Sequence, residues 1–274
     1  MRRITLGEDS FWTADALAAD LAALGLATGD CVMVHASLRA IGPVVGGADS
    51  VIAALRQVVG PEGCILSYVS WLEQFEDALN DEERLDPALK PFIPAFNAAT
   101  SRANPDHGWF AEALRTTPGT LRSGNPGASV AALGSGAPDF IADHPMDHGY
   151  GAGSPFARLV DAGGLVLMLG APLDTMSLLH HAEHIADIAG KHVRRLEVPL
   201  ATADGVIWQA ITEFDTVDPV VDGLADDYFA TIVGEFLASG QGRQGRVGDA
   251  QCVLVPAAAM TRFAVDWLER RFRP

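Results

Sequence analysis

Leu165-Val166-Leu167-Met168-Leu169 contains no polar side chain and lies between Gly163-Gly164 and Gly170. An unbroken apolar run bracketed by glycines predicts a buried strand, and a buried strand requires a sheet with other layers packed on it. Short, largely apolar runs recur at 31–34, 64–69, 129–133 and 251–255, and strand-like segments at 193–199 and 206–214. Between them lie segments of helical period. Leu17, Leu21 and Leu24 follow Thr13, a residue suited to an N-cap, and precede Gly25, a natural stop. Val51, Ile52, Leu55, Val58 and Val59 make one helical face ended by Gly60. Further helices are expected at 155–162, 174–188, 224–237 and 257–271. Strands alternating with helices predict an α/β fold, a single layered domain over residues 1–274 with a central mixed sheet flanked by helices.

One region breaks the alternation. Residues 71–105 are acidic and interrupted by Pro87, Pro91, Pro94 and Pro105, which predicts an excursion from the core of the kind that often covers an active site. The charge is concentrated. Residues 72–87 hold seven acids and one base, and residues 204–227 hold seven acids and no Lys or Arg, so −13 of the formal −16 lies in two stretches. Such a chain is a poor match for a nucleic-acid backbone. Each stretch reads either as a solvated face or as a field that concentrates a cationic ligand.

The N-terminal residues have no apolar core of a signal peptide, and no run reaches the ~18 apolar residues of a membrane span. Cys31, Cys64 and Cys252 are odd in number and set in apolar runs, which predicts free buried thiols and a cytoplasmic protein.

The densest group of functional side chains is Ser177-Leu178-Leu179-His180-His181-Ala182-Glu183-His184. His180, Glu183 and His184 are spaced i, i+3, i+4 and share one helix face, near the carboxyl end of the preceding strand, where ligands bind in open α/β sheets. The spacing H-x-x-E-H is that of inverted zinc peptidases, with both histidines on a metal. It equally suits a metal-free general base, His180, oriented by Glu183, or a surface helix rich in His and Glu without a role. A second motif, His35-Ala36-Ser37-Leu38-Arg39, follows the first core strand, and Arg122-Ser123 sits in another turn. Each pairs a cation with a hydroxyl near free backbone N–H groups, which suits phosphate. Gly149 to Gly153 does not fit G-x-G-x-x-G, so a dinucleotide fingerprint is not supported.

These pieces, in this order, resemble the aminoglycoside 3-N-acetyltransferase family: V-H-A-S-L-R-A-I-G at 34–42, residues 46–55, 122–134 and 153–159, L-M-L-G-A-P-L-D-T-M-S-L-L-H-H-A-E at 167–183, and the tail. The resemblance implies acetyl-CoA and an aminoglycoside in a shared cleft, with no metal. It matches His180 to the family's catalytic histidine, Glu183 to the carboxylate one turn on, and Ser177 to a position where relatives usually have Thr. It assigns His35, Ala36, Ser37, Leu38, Arg39, Arg122 and Ser123 to the CoA phosphates and pantetheine. Three positions depart from the pattern: Asn97-Ala98 replaces Asp-Pro, Asn125 stands for His, and Gly127 for an acid.

An amine must be neutral to attack a thioester, so a base is required, and His has the unperturbed pKa nearest neutrality. The expectation is therefore that His180 takes the proton, Glu183 orients the ring, and Ser177 donates to the oxyanion or the thiolate. Glu76, Asp77, Asp174 and Asp215 are expected to bind a polycationic aminoglycoside, with Tyr68 and Trp71 as a sugar-stacking surface. The competing readings are a zinc hydrolase built on His180 and His184, an acetyltransferase for a different amine, and a sequestering protein without catalysis.

Overall fold

The computed structural model describes residues 3–71, 78–80, 84–216 and 218–272. The expected Glu76 and Asp77 therefore lie outside the described residues, as does much of the acidic stretch at 72–87. Among the described residues no helix is long and apolar enough to cross a membrane.

The core is a seven-stranded mixed sheet. Its strands are β3 (Cys31–Ala36), β4 (Cys64–Tyr68), β5 (Leu121–Arg122), β6 (Val130–Gly134), β7 (Leu165–Leu169), β10 (Arg243–Val247) and β11 (Ala250–Pro256), in the order β10-β11-β7-β3-β4-β6-β5. β3 runs parallel to both β4 and β7, and the outer pairs are antiparallel. Strand alternation divides the side chains between two cores. Val32, Val34, Ile65, Leu167 and Leu169 pack under α1 (Ala14–Leu24), α3 (Gly47–Val59) and α4 (Gly108–Thr116). Met33, Leu66, Val166 and Met168 face α6 (Pro155–Asp161), α7 (Leu178–Ile185), α8 (Tyr228–Ala238) and α9 (Ala257–Phe272). Each large buried side chain contributes about 1.5–3 kcal/mol, so β7, inaccessible along most of its length, is the most heavily stabilised strand.

A second body of apolar contacts lies off the sheet. β8 (Val193–Thr202) and β9 (Gly205–Phe214) form a long antiparallel ribbon. Leu196, Val198 and Ile211 of that ribbon pack on Trp71 and Phe96, and Phe96 hydrogen-bonds across to Pro199 and Ala201. The excursion that begins at Trp71 is thus tied to the ribbon.

Several boundaries differ from expectation. The helix expected over 174–188 is a 3-10 turn, Leu173–Thr175, followed by α7, which ends at Ile185 because Ala186 is extended. The helix expected from 224 starts at Tyr228. Gly170, with φ +71°, makes the turn out of β7 toward α7, and a Cβ there would lie 2.7 Å from Ala40 Cβ and 2.9 Å from Ala250 Cβ. A glycine is required both by the left-handed backbone and by the lack of room.

Candidate active site

The carboxyl ends of the parallel strands β3, β4 and β7 open into a cavity of ≈ 370 Å³. Its wall includes His35, Ala36 and Ser37 at the end of β3, Ser67 and Tyr68 on β4, His107 before α4, and Asp174, Ser177 and His180 at the start of α7. A second recess, of ≈ 430 Å³, adjoins it at Asp174, His180 and Phe229 and is further lined by Thr216, Asp218, Asp226 and Tyr228. His180 belongs to both.

The histidine is fixed from behind. Its Nδ1 lies 2.8 Å from Glu183 Oε2, one turn along α7. Glu183 is buried, and its other oxygen, Oε1, accepts a hydrogen bond from the Tyr228 hydroxyl. Burial, and then the neighbouring Glu183 carboxylate, push the Tyr228 phenol far above its ordinary pKa, so it remains a donor. With Nδ1–H donating to a carboxylate, His180 presents Nε2 as its basic atom. The ring is held between Tyr150 and Phe229, each with its centroid 4.9 Å away.

The imidazoles on the cavity wall opposite are neutral. Burial pushes His35 down to about 3, with His107 and His180 adding to the effect, and burial pushes His107 down to about 4. His107 Nε2 lies 2.5 Å from Ser70 Oγ. His35 Nε2 is buried and has no partner among the described residues, a costly state that a bound polar group or water relieves. Ser177 is buried, and its hydroxyl has no partner among the described residues.

A family model described as aminoglycoside 3-N-acetyltransferase matches residues 33–269. Aminoglycoside N(3)-acetyltransferase III of Pseudomonas aeruginosa is 43% identical over 257 residues, covering 91% of each chain. The chain is a member of the aminoglycoside 3-N-acetyltransferase family. Among solved structures, AAC-IIIb in a binary complex with CoASH superposes with a TM-score of 0.95 at 60% identity, covering 96% of this chain and 99% of that one. AAC-VIa bound to sisomicin gives 0.91 at 35% identity, covering 96% and 100%.

Within this family frame the expected residues separate. His180, Glu183, Ser177, Asp174, Tyr68, His35, Ala36 and Ser37 come together around the two hollows. Leu38 and Arg39 lie next to them on the short helix α2 (Leu38–Ile41), where Leu38 packs on the core and Arg39 is exposed. Arg122 and Ser123 do not join them. The Arg122 guanidinium is buried, donates to Ser129 Oγ, Ser101 O and Val69 O, and packs on Phe96. Burial, then Arg115, pull it down to about 9. Ser123 is inaccessible, with its hydroxyl 2.8 Å from His144 Nδ1. Both residues brace the interior, because acceptors from distant parts of the chain surround them, and neither is placed to meet a phosphate.

Trp71 is likewise buried against Phe96, with ring centroids 5.7 Å apart, and is not a stacking surface. Asp215 Oδ1 accepts from Asp218 N, and the recess wall is made by Asp218 and Asp226 instead. The departures at 125 and 127 have internal roles. Asn125 Nδ2 donates to Pro145 O and Met146 O while its Oδ1 accepts from Gly127 N and Ala128 N, and Gly127 O accepts from the Tyr68 and Tyr150 hydroxyls. Asn97 Oδ1 accepts from Ala99 N and Thr100 N in a tight turn.

The H-x-x-E-H spacing does not build the metal site of a zinc peptidase. His180 faces Glu183, whereas His184 is turned away, with Nδ1 donating to His180 O at 2.7 Å and Nε2 2.5 Å from Glu213 Oε1. His181 is buried with Nδ1 donating to Tyr150 O. Sequence reasoning missed Tyr228, Phe229, Asp218, Asp226 and His107. Tyr228 opens a helix 45 residues beyond Glu183, and no local spacing links the two.

Proposed function

We propose that this chain transfers the acetyl group of acetyl-CoA to the 3-amine of a 2-deoxystreptamine antibiotic, with His180 as the general base. The observation that carries this reading is that His180 lines both the cavity at the strand ends and an acidic recess, its Nδ1 bound to a buried carboxylate. The complexes of relatives with CoASH and with sisomicin support the two ligand classes. The cavity at the ends of β3, β4 and β7 takes the pantetheine and thioester, with Ser37 and the unbonded His35 Nε2 along it and Arg39 exposed nearby on α2. Asp174, Asp218 and Asp226 meet the ammonium groups of the antibiotic in the recess.

In this reading the neutral 3-amine attacks, and Nε2 of His180 takes the one proton that its nitrogen loses on forming the amide. The amine nitrogen bonds to the thioester carbon and the carbonyl pair moves onto oxygen. Ser177 donates to that oxyanion or to the sulfur. Collapse breaks the C–S bond, and the thiolate recovers the proton as CoASH. Glu183, held by Tyr228, keeps the ring in the productive tautomer. The outcome in a cell is aminoglycoside resistance. We read the chain as one acetyltransferase domain, and the three free cysteines and the use of acetyl-CoA support a cytoplasmic enzyme.

Free-thiol release from acetyl-CoA across aminoglycosides with and without a 3-amine tests this reading. Release confined to 3-amine substrates is expected. Release with other amines alone would reassign the acceptor, and stoichiometric zinc required for turnover would favour a hydrolase.

A further inference from the structure

His184 shares a helix with the catalytic base but takes no part in the chemistry derived above, and it meets two other donors. Its Nδ1–H donates to the His180 carbonyl, which fixes the tautomer and turns Nε2 inward toward Glu213 Oε1 at 2.5 Å. His148 Nδ1, 3.9 Å from the same oxygen, is buried and has no hydrogen-bond partner among the described residues. The three ligand atoms lie within 4.8 Å of one another and come from three parts of the fold, the loop at 142–154, α7 and β9.

The surroundings match those of a metal ligand set. A ligating histidine characteristically gives its second N–H to a backbone carbonyl, as His184 does. Glu213 Oε2 is held by the Gly149 N–H, and Phe214 N donates to Oε1, so the carboxylate is oriented by backbone. Phe214 covers both imidazoles, with centroids 4.6 Å from His184 and 5.0 Å from His148. His148 is held at φ 51°, a left-handed backbone rarely adopted outside glycine, and this aims its ring at the pair.

We propose that His148, His184 and Glu213 form a zinc(II) site distinct from the acyl-transfer machinery, linking β9 to the carbonyl of His180. Two imidazoles and one carboxylate with an open position suit a tetrahedral zinc that keeps one water. Metal–ligand lengths of about 2.0–2.2 Å put neighbouring ligand atoms roughly 3.3 Å apart. The two separations from Glu213 Oε1 straddle that value and all three ligand atoms lie within 4.8 Å of one another, so closure requires shifts of at most about 1.5 Å. The sequence pattern H-x-x-E-H thus supplies one ligand, His184, whose partners are remote in sequence.

The test is metal titration of the chelator-treated full-length protein. Wild type is expected to bind one zinc by calorimetry, to give a tetrahedral Co(II) absorption band, and to unfold at least about 5 °C higher with zinc 100-fold above its Kd. His148→Ala and Glu213→Gln should each weaken zinc by more than about 100-fold, beyond the loss typical of outer-shell changes, while His180→Ala binds as wild type does. An absent Co(II) band and no stoichiometric zinc in wild type would overturn the proposal and leave a hydrogen-bonded His184–Glu213 pair. Unaltered affinity in both ligand variants, or loss in His180→Ala, would overturn it equally. Wild-type binding is decisive even where a variant does not fold.

Discussion

Tyr228→Phe removes one hydroxyl and leaves the ring in place. In the native protein the Glu183 carboxylate is buried and takes two side-chain hydrogen bonds among the described residues, from His180 Nδ1 and from Tyr228 OH. Losing a hydrogen bond to a charged group costs about 1.5–3 kcal/mol. The loss falls on the group that orients the base. If it is felt fully in the transition state, kcat falls by about 10-fold to 150-fold, at 1.36 kcal/mol per decade. The same unsatisfied oxygen destabilises the fold by about 1–3 kcal/mol, which lowers the melting temperature by several degrees. The assay is thiol release at saturating acetyl-CoA, with CoASH affinity measured separately by calorimetry. The expected split is a reduced kcat for every accepted aminoglycoside at nearly constant CoASH affinity. Full kcat in a folded Tyr228→Phe enzyme would refute the idea that the phenol positions Glu183.

Arg122→Met should destabilise the protein in urea unfolding, by about 1–3 kcal/mol for each interior acceptor left unsatisfied, and leave the KM for acetyl-CoA nearly unchanged. A raised KM with intact stability would restore it as a phosphate ligand. Asp218→Asn and Asp226→Asn should each raise the KM for the aminoglycoside about threefold to tenfold at low salt, less at high salt, with the KM for acetyl-CoA constant. His35, His107 and His144 are held down to about 3, 4 and 4, chiefly by burial, so below about pH 6.5 they take up protons only on unfolding. Their contribution is full above that pH and is lost as pH falls, by up to about 1.4 kcal/mol per pH unit for each imidazole. Urea unfolding should show stability about 4 kcal/mol lower at pH 5.5 than at 7.5, and equal stability would contradict the burial of neutral rings.

What the sequence made legible follows from how local each signal is. Residues 165–169 are apolar without interruption and 64–68 are broken only by Ser67 and the Tyr68 hydroxyl, and both are central strands. Arg243–Val247 reads R-Q-G-R-V because it is an edge strand with one face in water, and it carries no such signal. Glu183 and His180 are three residues apart on a helix, so their pairing could be read from spacing. The misplacement of Arg122 has the opposite origin. A cation and a hydroxyl in a turn look the same whether they face a phosphate or an interior carbonyl, and Val69 O, which decides the matter, is 53 residues away. The acidic recess shows the same limit. The stretch at 204–227 read either as a solvated face or as a field for a cationic ligand, and the path of the chain after β9 brings Asp218 and Asp226, not Asp215, to the wall.

The central claim is that one imidazole, lining both hollows and backed by Glu183, performs the proton transfer. Steady-state thiol release by His180→Ala, shown to be folded by its melting curve and to bind CoASH as wild type does, tests it most directly. A fall in kcat of about 100-fold to 10,000-fold is predicted. Turnover near the wild-type rate would contradict the account.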